Sequence, residues 1–203
     1  MLTFIAAVFF LLITPGPGVL STAGVGSAFG ARPGARYVFG LFLGTNLVAI
    51  AVVTGLAAFI LADARIRTVL FIASTLYLLY LALRIAMAGS RIAFIEAQKA
   101  PGILNGVALQ MINPKAYAVN TTLFFGFAIL PGNLGAETLL KFAVINAIWV
   151  PIHFLWLGLG IRLRQLELSQ RAHRVINIAM SLSMLAVVAL AVGGFLWSGA
   201  GPQ

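Results

Sequence analysis

Two short stretches combine helix-breaking residues with groups able to hold a charged solute. Thr14-Pro15-Gly16-Pro17-Gly18 interrupts the first apolar run, and Asn113-Pro114-Lys115 interrupts the fourth. Proline within a helix removes a backbone donor and clashes with the preceding turn, while paired glycines permit backbone angles that other residues avoid. In hydrocarbon, the groups released in this way need protein, water or a bound solute as partner. Thr and Asn are good N-cap residues, and proline suits the first helical position. Each motif is therefore expected to end one half-helix and start another, with Thr14-Pro15 and Asn113-Pro114 as the restart points. The starting half presents free N–H groups and partial positive charge; the ending half presents bare carbonyls. A zwitterion suits such a gap, its carboxylate against the N-termini and its ammonium against the carbonyl ends. A kink that only shapes packing is the competing explanation for either break alone. Two matched breaks point to a transport site.

Lys115 is the costliest residue to bury. It lies about a dozen residues into its run, roughly 18 Å deep and near the midplane of a ~30 Å hydrocarbon core. It can bind a substrate carboxylate, titrate, or neutralise the carbonyls exposed at the other break. Gln110 precedes Asn113 by one turn and shares its face. The candidate substrate-binding set is Thr14, Pro15, Gly16, Pro17, Gly18, Gln110, Asn113, Pro114 and Lys115. His153 is the only histidine within a span; it serves either packing or, with Lys115, proton relay. Asn46, Asn120, Asn146 and Asn177 are the other amides within spans, suited to interhelical hydrogen bonds.

These residues have to be placed by a membrane protein. The 203 residues are 62% hydrophobic and 8% charged, with mean hydropathy +1.07. A soluble domain would carry about 25% charged residues. At about 20 apolar residues per span, the length fits six helices. They are expected at about Leu2–Phe29, Tyr37–Ala62, Ile66–Met87, Ile103–Leu130, Leu139–Gly160 and Val175–Trp197. The net charge of +9 does not indicate nucleic acid, because the basic residues fall in short loops, where membrane orientation calls for them. The loops after spans one, three and five hold Arg32, Arg36, Arg84, Arg91, Lys99, Arg162, Arg164, Arg171 and Arg174. Arg65, Arg67 and Lys141 fall on the other side. This asymmetry places the first set in the cytoplasm and both termini outside.

Three spans per half give inverted topology, and Pro15 and Pro114 stand about half a chain apart. The expected fold is an all-α membrane protein of six transmembrane helices, arranged as two inverted three-helix repeats with helices one and four broken. Residues 1–88 form the first repeat, 89–102 a cytoplasmic linker and 103–203 the second repeat. Small-residue faces at Gly40/Gly44 and Gly102/Gly106 can pack within a monomer or between subunits of a homo-oligomer. The chain has no cysteine, and Asp63, Glu96, Glu137 and Glu167 fall at span ends or in loops. No metal and no cofactor is expected from such a donor set.

The ordered motifs resemble the LysE/RhtB family of amino-acid exporters, the LysE-type translocators. Thr14-Pro15-Gly16-Pro17 is similar to the family's Pro-Gly-Pro signature, and Gly30-Ala31-Arg32-Pro33-Gly34 to its Gly-x-Arg-x-Gly stretch. Tyr77-Leu78-Leu79-Tyr80-Leu81 resembles Tyr-Leu-x-Tyr-Leu, and Asn113-Pro114-Lys115-Ala116 the Asn-Pro-Lys motif. The resemblance covers essentially the whole chain. It implies a prokaryotic inner-membrane carrier that exports amino acids or related small metabolites and is driven by the proton gradient. A membrane-embedded enzyme is the rival from another class, but the spans hold no Ser–His pair in an evident elbow and no paired carboxylates. A non-transporting scaffold subunit is the third alternative, and it leaves the mid-span Lys115 without a purpose.

Overall fold

The computed structural model describes residues 1–14, 16–56, 63–87, 100–130 and 132–165, with scattered positions between 171 and 189. Among the described residues the chain is helical throughout, with no strand. Pro15, most of the expected linker and most of the expected sixth span, Val175–Trp197, lie outside them.

Helix α1 (Leu2–Ile13) stops at Thr14, whose N–H and hydroxyl both donate to the Phe10 carbonyl. Helix α2 (Pro17–Phe29) then starts with Gly16 as N-cap in extended backbone and Pro17 as the first helical residue. The restart is thus Gly16-Pro17, two residues later than the expected Thr14-Pro15. Thr14 closes the last turn of α1, and Gly16, directly before Pro17, takes the N-cap position of α2 instead. The two helix axes differ by 52°.

Gly30, with φ 84, turns the chain from α2 into α3 (Ala31–Val53) in a single residue, a conformation that L side chains resist. Arg32, Pro33 and Arg36, expected in a loop, occupy the first two turns of α3 instead. Pro33 is tolerated there because a first-turn N–H has no intrahelical partner to lose. Helix α4 (Ala64–Met87) is capped by Asp63, whose carboxylate accepts from the N–H groups of Arg65 at 2.7 Å and Ile66 at 3.3 Å.

Helices α5 (Ile103–Ile112) and α6 (Pro114–Phe125) share Asn113, the C-cap of one and the N-cap of the other. Its Oδ1 accepts from Lys115 N–H at 3.1 Å, with Pro114 at the first helical position. Residues 126–130, expected within the fourth span, lie outside α6. Helix α7 (Leu134–Gln165) starts five residues before the expected Leu139, because the Asn133 side chain caps Ala136 N–H at 3.0 Å.

Lys141 was expected at the very start of the fifth span, counted with the basic residues on the side opposite the cytoplasm. It is instead 2% exposed inside the helical bundle and paired with Glu137 at 2.6 Å. The ammonium donates to the carbonyls of Phe124 and Phe127, while Glu137 accepts from Leu130 N–H. The reason is local: α6 ends at Phe125 and leaves its last carbonyls without intrahelical donors. A cation two turns inside α7 supplies donors there, and Glu137, one turn earlier on the same face, neutralises it.

Burial divides into two main cores separated at the level of the breaks. One joins Val25 of α2, Tyr37 and Leu41 of α3, Leu109 of α5, and Trp149 and Leu157 of α7. The other joins Phe4 and Val8 of α1, Ala49 of α3, Leu123 and Phe124 of α6, and Ile145 of α7. The packing of α2 on α7 and of α3 on α5 is the most extensive between helices. Glycine permits it. A methyl group on Gly26 would lie 2.8 Å from the Leu157 carbonyl, and one on Gly160 would strike the Ala23 carbonyl. Gly40, Gly44 and Gly106 serve the α3–α5 contact in the same way, so this small-residue face is used inside the chain. Many large apolar side chains face outward, Leu104 and Leu134 at 82% exposure, a surface that water does not tolerate but lipid does. By length and composition α3 and α7 can each cross a bilayer alone, and α1 and α2 can do so as a bent pair.

Asn46 of α3 and Asn146 of α7 exchange two hydrogen bonds, each Nδ2 donating to the other's Oδ1 at 3.0 and 2.9 Å. Interhelical bonds of this kind contribute about 0.6 kcal/mol on average in membranes and up to about 1.7. Asn46→Ala is therefore expected to cost about 1 kcal/mol in a mixed-micelle unfolding titration. Asn146→Ala added to it should cost little more, since the pair is already lost; fully additive losses would show that the two amides act independently.

Candidate functional site

The two breaks meet. Lys115, the second residue of α6, sends its side chain across the interior, and Nζ donates to the Thr14 carbonyl at 2.6 Å. Gly16 makes this crossing feasible. A methyl group there would lie 2.8 Å from Lys115 Cδ and 3.0 Å from Nζ, so any larger residue would displace the lysine stem. The chain thus brings its mid-span ammonium to the carbonyl end of α1. Pro15 and Pro17 have no N–H, so the carbonyls of Leu11 and Ile13 lose their usual helical partners in the same place.

A cavity of about 50 Å³ lies at this junction, between the two cores. Of the residues expected at a site, Thr14, Gly16, Gly18, Gln110, Asn113, Lys115 and His153 line it. Pro17 and Pro114 do not. Pro17 is buried behind Gly16 and Pro114 is exposed, each as the first residue of its half-helix. Their contribution is to set where α2 and α6 begin. Pro15 lies outside the described residues.

The polar lining is locked together by short-range bonds. Asn113 Nδ2 donates to Gln110 Oε1 at 3.2 Å, and both side chains are 4% exposed. Asn113 therefore works three ways: N-cap of α6, partner of Gln110 and wall of the cavity. At the start of α2, the hydroxyls of Ser21 and Thr22 donate to the Gly18 carbonyl, and Tyr37 OH donates to Ser21 Oγ at 3.0 Å. Tyr117 OH donates to the Met111 carbonyl at 2.8 Å, closing part of the open end of α5.

His153 enters from α7 and is 3% exposed. Its ring stacks on Trp149, with centroids 3.5 Å apart and planes inclined by 13°. Nδ1 lies 3.0 Å from the Trp149 carbonyl. A carbonyl only accepts, so this bond puts the proton on Nδ1 and leaves Nε2 with a lone pair. Nε2 is the atom nearest Gly18, and a methyl group on Gly18 would lie 3.5 Å from it and 3.7 Å from Gln110 Nε2. The histidine accordingly packs on Trp149 and also faces the cavity.

Sequence reasoning missed three polar or aromatic lining residues, Thr45, Asn120 and Trp149. Asn120 follows Asn113 by seven positions, two helical turns, and so shares its face. Trp149 precedes His153 by four, which is the stacking distance along a helix. Neither signal stands out among so many apolar residues. Leu11, Leu12, Val19, Val119, Leu123 and Ile145 form the apolar remainder of the wall. Among the described residues no cluster of His, Asp and Glu is arranged to hold a metal.

Comparison with curated proteins and with solved structures gave no significant match. The family model described as LysE type translocator matches residues 9–197, a stretch that contains both interruptions and nearly all of the described helices. With its helices apolar on the outside and its polar groups gathered within, the chain belongs to the LysE type translocator family and is a membrane exporter of small molecules.

Proposed function

We propose that this chain is a secondary carrier that exports amino acids or related small zwitterionic metabolites across the prokaryotic cytoplasmic membrane. The observation that carries this reading is the Lys115 Nζ–Thr14 carbonyl bond at 2.6 Å, which joins the two interrupted helices across 101 positions of chain. A carboxylate arriving at the cavity meets the ammonium of Lys115 and the N-terminal ends of α2 and α6. Its α-ammonium meets the carbonyl ends of α1 and α5. The Thr14 carbonyl stands in for the anionic cargo in the structure, so cargo exchanges with an internal bond and leaves no buried cation unpaired.

On this reading α1–α2 and α5–α6 are two broken spans, corresponding members of inverted repeats bounded at 1–88 and 103–203. The reciprocal Asn46–Asn146 pair supports that symmetry, because equivalent residues meet each other where a two-fold axis passes. With the basic loops in the cytoplasm and the termini outside, α2 and α5 are the cytoplasmic half-helices. They are the tightly packed ones, which supports reading this conformation as sealed toward the cytoplasm. A cavity of about 50 Å³ admits cargo only as α1 and α6 move off α7 and α3. Proton coupling is assigned to His153 and Lys115, which border the same cavity and compete with cargo for charge.

Overexpression in cells fed dipeptides tests the reading. Peptidases raise the intracellular amino-acid pools, and an exporter is expected to lower a pool at least several-fold below that of empty-vector cells while the amino acid accumulates outside. Pools unchanged for every dipeptide supplied would overturn it.

A further inference from the structure

We infer that the cavity selects cargo by charge: it accepts amino acids with uncharged, predominantly aliphatic side chains and rejects lysine and arginine. This deepens the export reading and rests on it.

The argument starts from a shortage of carboxylates. The chain has four, Asp63, Glu96, Glu137 and Glu167. Asp63 is occupied in capping α4. Glu137 is held by Lys141 and Leu130 N–H where α6 ends, and is not part of the cavity wall. Glu96 and Glu167 belong to the charged loops of the sequence. Among the described residues no anion is therefore available to meet a second cation on the cargo. The cavity already contains one, the Lys115 ammonium.

A zwitterion with an aliphatic side chain satisfies every group in this site. Its carboxylate pairs with Lys115, its α-ammonium takes helix-end carbonyls, and its side chain lies against Leu11, Leu12, Val19, Val119, Leu123 and Ile145. A lysine or arginine side chain must place its charge either on that apolar wall or beside Lys115. The first leaves an ion without solvation and the second adds like-charge repulsion, so neither position compensates it. The amides of the wall do not change this balance. Asn120 donates through Nδ2 to the Ala116 carbonyl at 2.8 Å and Asn113 and Gln110 are paired with each other, while Asn120 Oδ1 and His153 Nε2 accept hydrogen bonds without supplying a counter-charge.

The same reasoning states what would reverse the preference. A carboxylate on the α6 face of the cavity supplies the missing counter-charge. Asn120→Asp changes charge with almost no change of shape; Val119→Asp does so one position away, on the same wall.

The test is counterflow in proteoliposomes, which requires no knowledge of the coupling ion. Vesicles loaded with unlabelled L-leucine, L-lysine or L-arginine are diluted into the corresponding labelled amino acid. Wild type is expected to exchange leucine, and to exchange lysine and arginine about 100-fold more slowly, the ratio expected for an uncompensated charge in such an environment. In Asn120→Asp or Val119→Asp, whichever reconstitutes, the lysine-to-leucine ratio is expected to rise at least about tenfold. Wild-type exchange of lysine or arginine at the leucine rate would overturn the charge filter while leaving the export reading intact. A wild type that rejects lysine, with variants whose ratio does not move, would likewise overturn it, because selection would then not depend on charge in the cavity. Exchange of no amino acid at all would remove both the filter and the export reading.

Discussion

Lys115→Met is expected to lower amino-acid exchange roughly 10- to 150-fold while the protein still inserts and reaches wild-type abundance in the membrane. Methionine retains an unbranched stem that can occupy the space Gly16 leaves open, where a methyl group would approach Lys115 Cδ to 2.8 Å. What is lost is the ammonium and its bond to the Thr14 carbonyl. A hydrogen bond to a charged group contributes about 1.5–3 kcal/mol, and the cargo carboxylate loses a partner of the same strength. The bond to the Thr14 carbonyl is the one that cargo displaces, so only the lost cargo contact lowers affinity, by roughly 10- to 150-fold. Lys115→Arg is not expected to rescue function. Its planar guanidinium is wider than an ammonium and cannot end on a single carbonyl beneath Gly16 without leaving donors unpaired. Lys115→Ala should match Lys115→Met in transport but be the less stable of the two, because it also empties the space along the stem. Exchange by Lys115→Met at wild-type rates would remove the site from this junction altogether.

Much of this arrangement was legible before any coordinates, and the limits have physical causes. Asn113-Pro114 could be read in full because one cap and one proline act on each other within two residues, and no neighbour competes. Thr14-Pro15-Gly16-Pro17 could be read only to within two residues. It contains two overlapping X-Pro restart signals, and the outcome turned on the Thr14 hydroxyl bonding backwards to Phe10. Proline 33 suggested a loop because a helix interior rejects it, yet the first turn of α3 does not. The position of a helix start thus decided its meaning, and Gly30 with its positive φ set that start.

The Glu137–Lys141 pair was not legible for a different reason. Two charges one turn apart near a span end look like a solvated helix surface. They are buried because the neighbouring helix ends early and leaves carbonyls at Phe124 and Phe127. That need arises from the tertiary arrangement alone. The lining residues Thr45 and Trp149 belong to the same class, since α3 and α7 carry no local sign of which face meets the breaks.

The contact between α3 and α5 carries the remaining prediction. Gly106→Val is expected to destabilise the protein by about 3 kcal/mol, at the upper end for overpacking, and to abolish transport. A methyl group on Gly106 would lie 2.5 Å from the Tyr37 carbonyl oxygen, 2.6 Å from Leu41 N and 2.9 Å from Gly40 C, while one on Gly40 would strike the Ile103 carbonyl. Every one of these neighbours is backbone. At Gly16 the neighbour is a flexible lysine stem, which can yield; here the only relief is to push α5 away from α3. Helix α5 carries Gln110 and ends at Asn113, so that displacement shifts the cavity wall and the cap that starts α6 together. Transport is therefore expected to fail even in detergent and lipid conditions that restore folding. Gly158→Ala is the matched control, a glycine of α7 with nothing within 4 Å of its added methyl group. It should be neutral or slightly stabilising, since alanine exceeds glycine in helix propensity by about 1 kcal/mol. Equal behaviour of the two variants in an unfolding titration would mean that α3 and α5 do not touch backbone to backbone. The seal proposed for α2 and α5 would then have to be sought elsewhere.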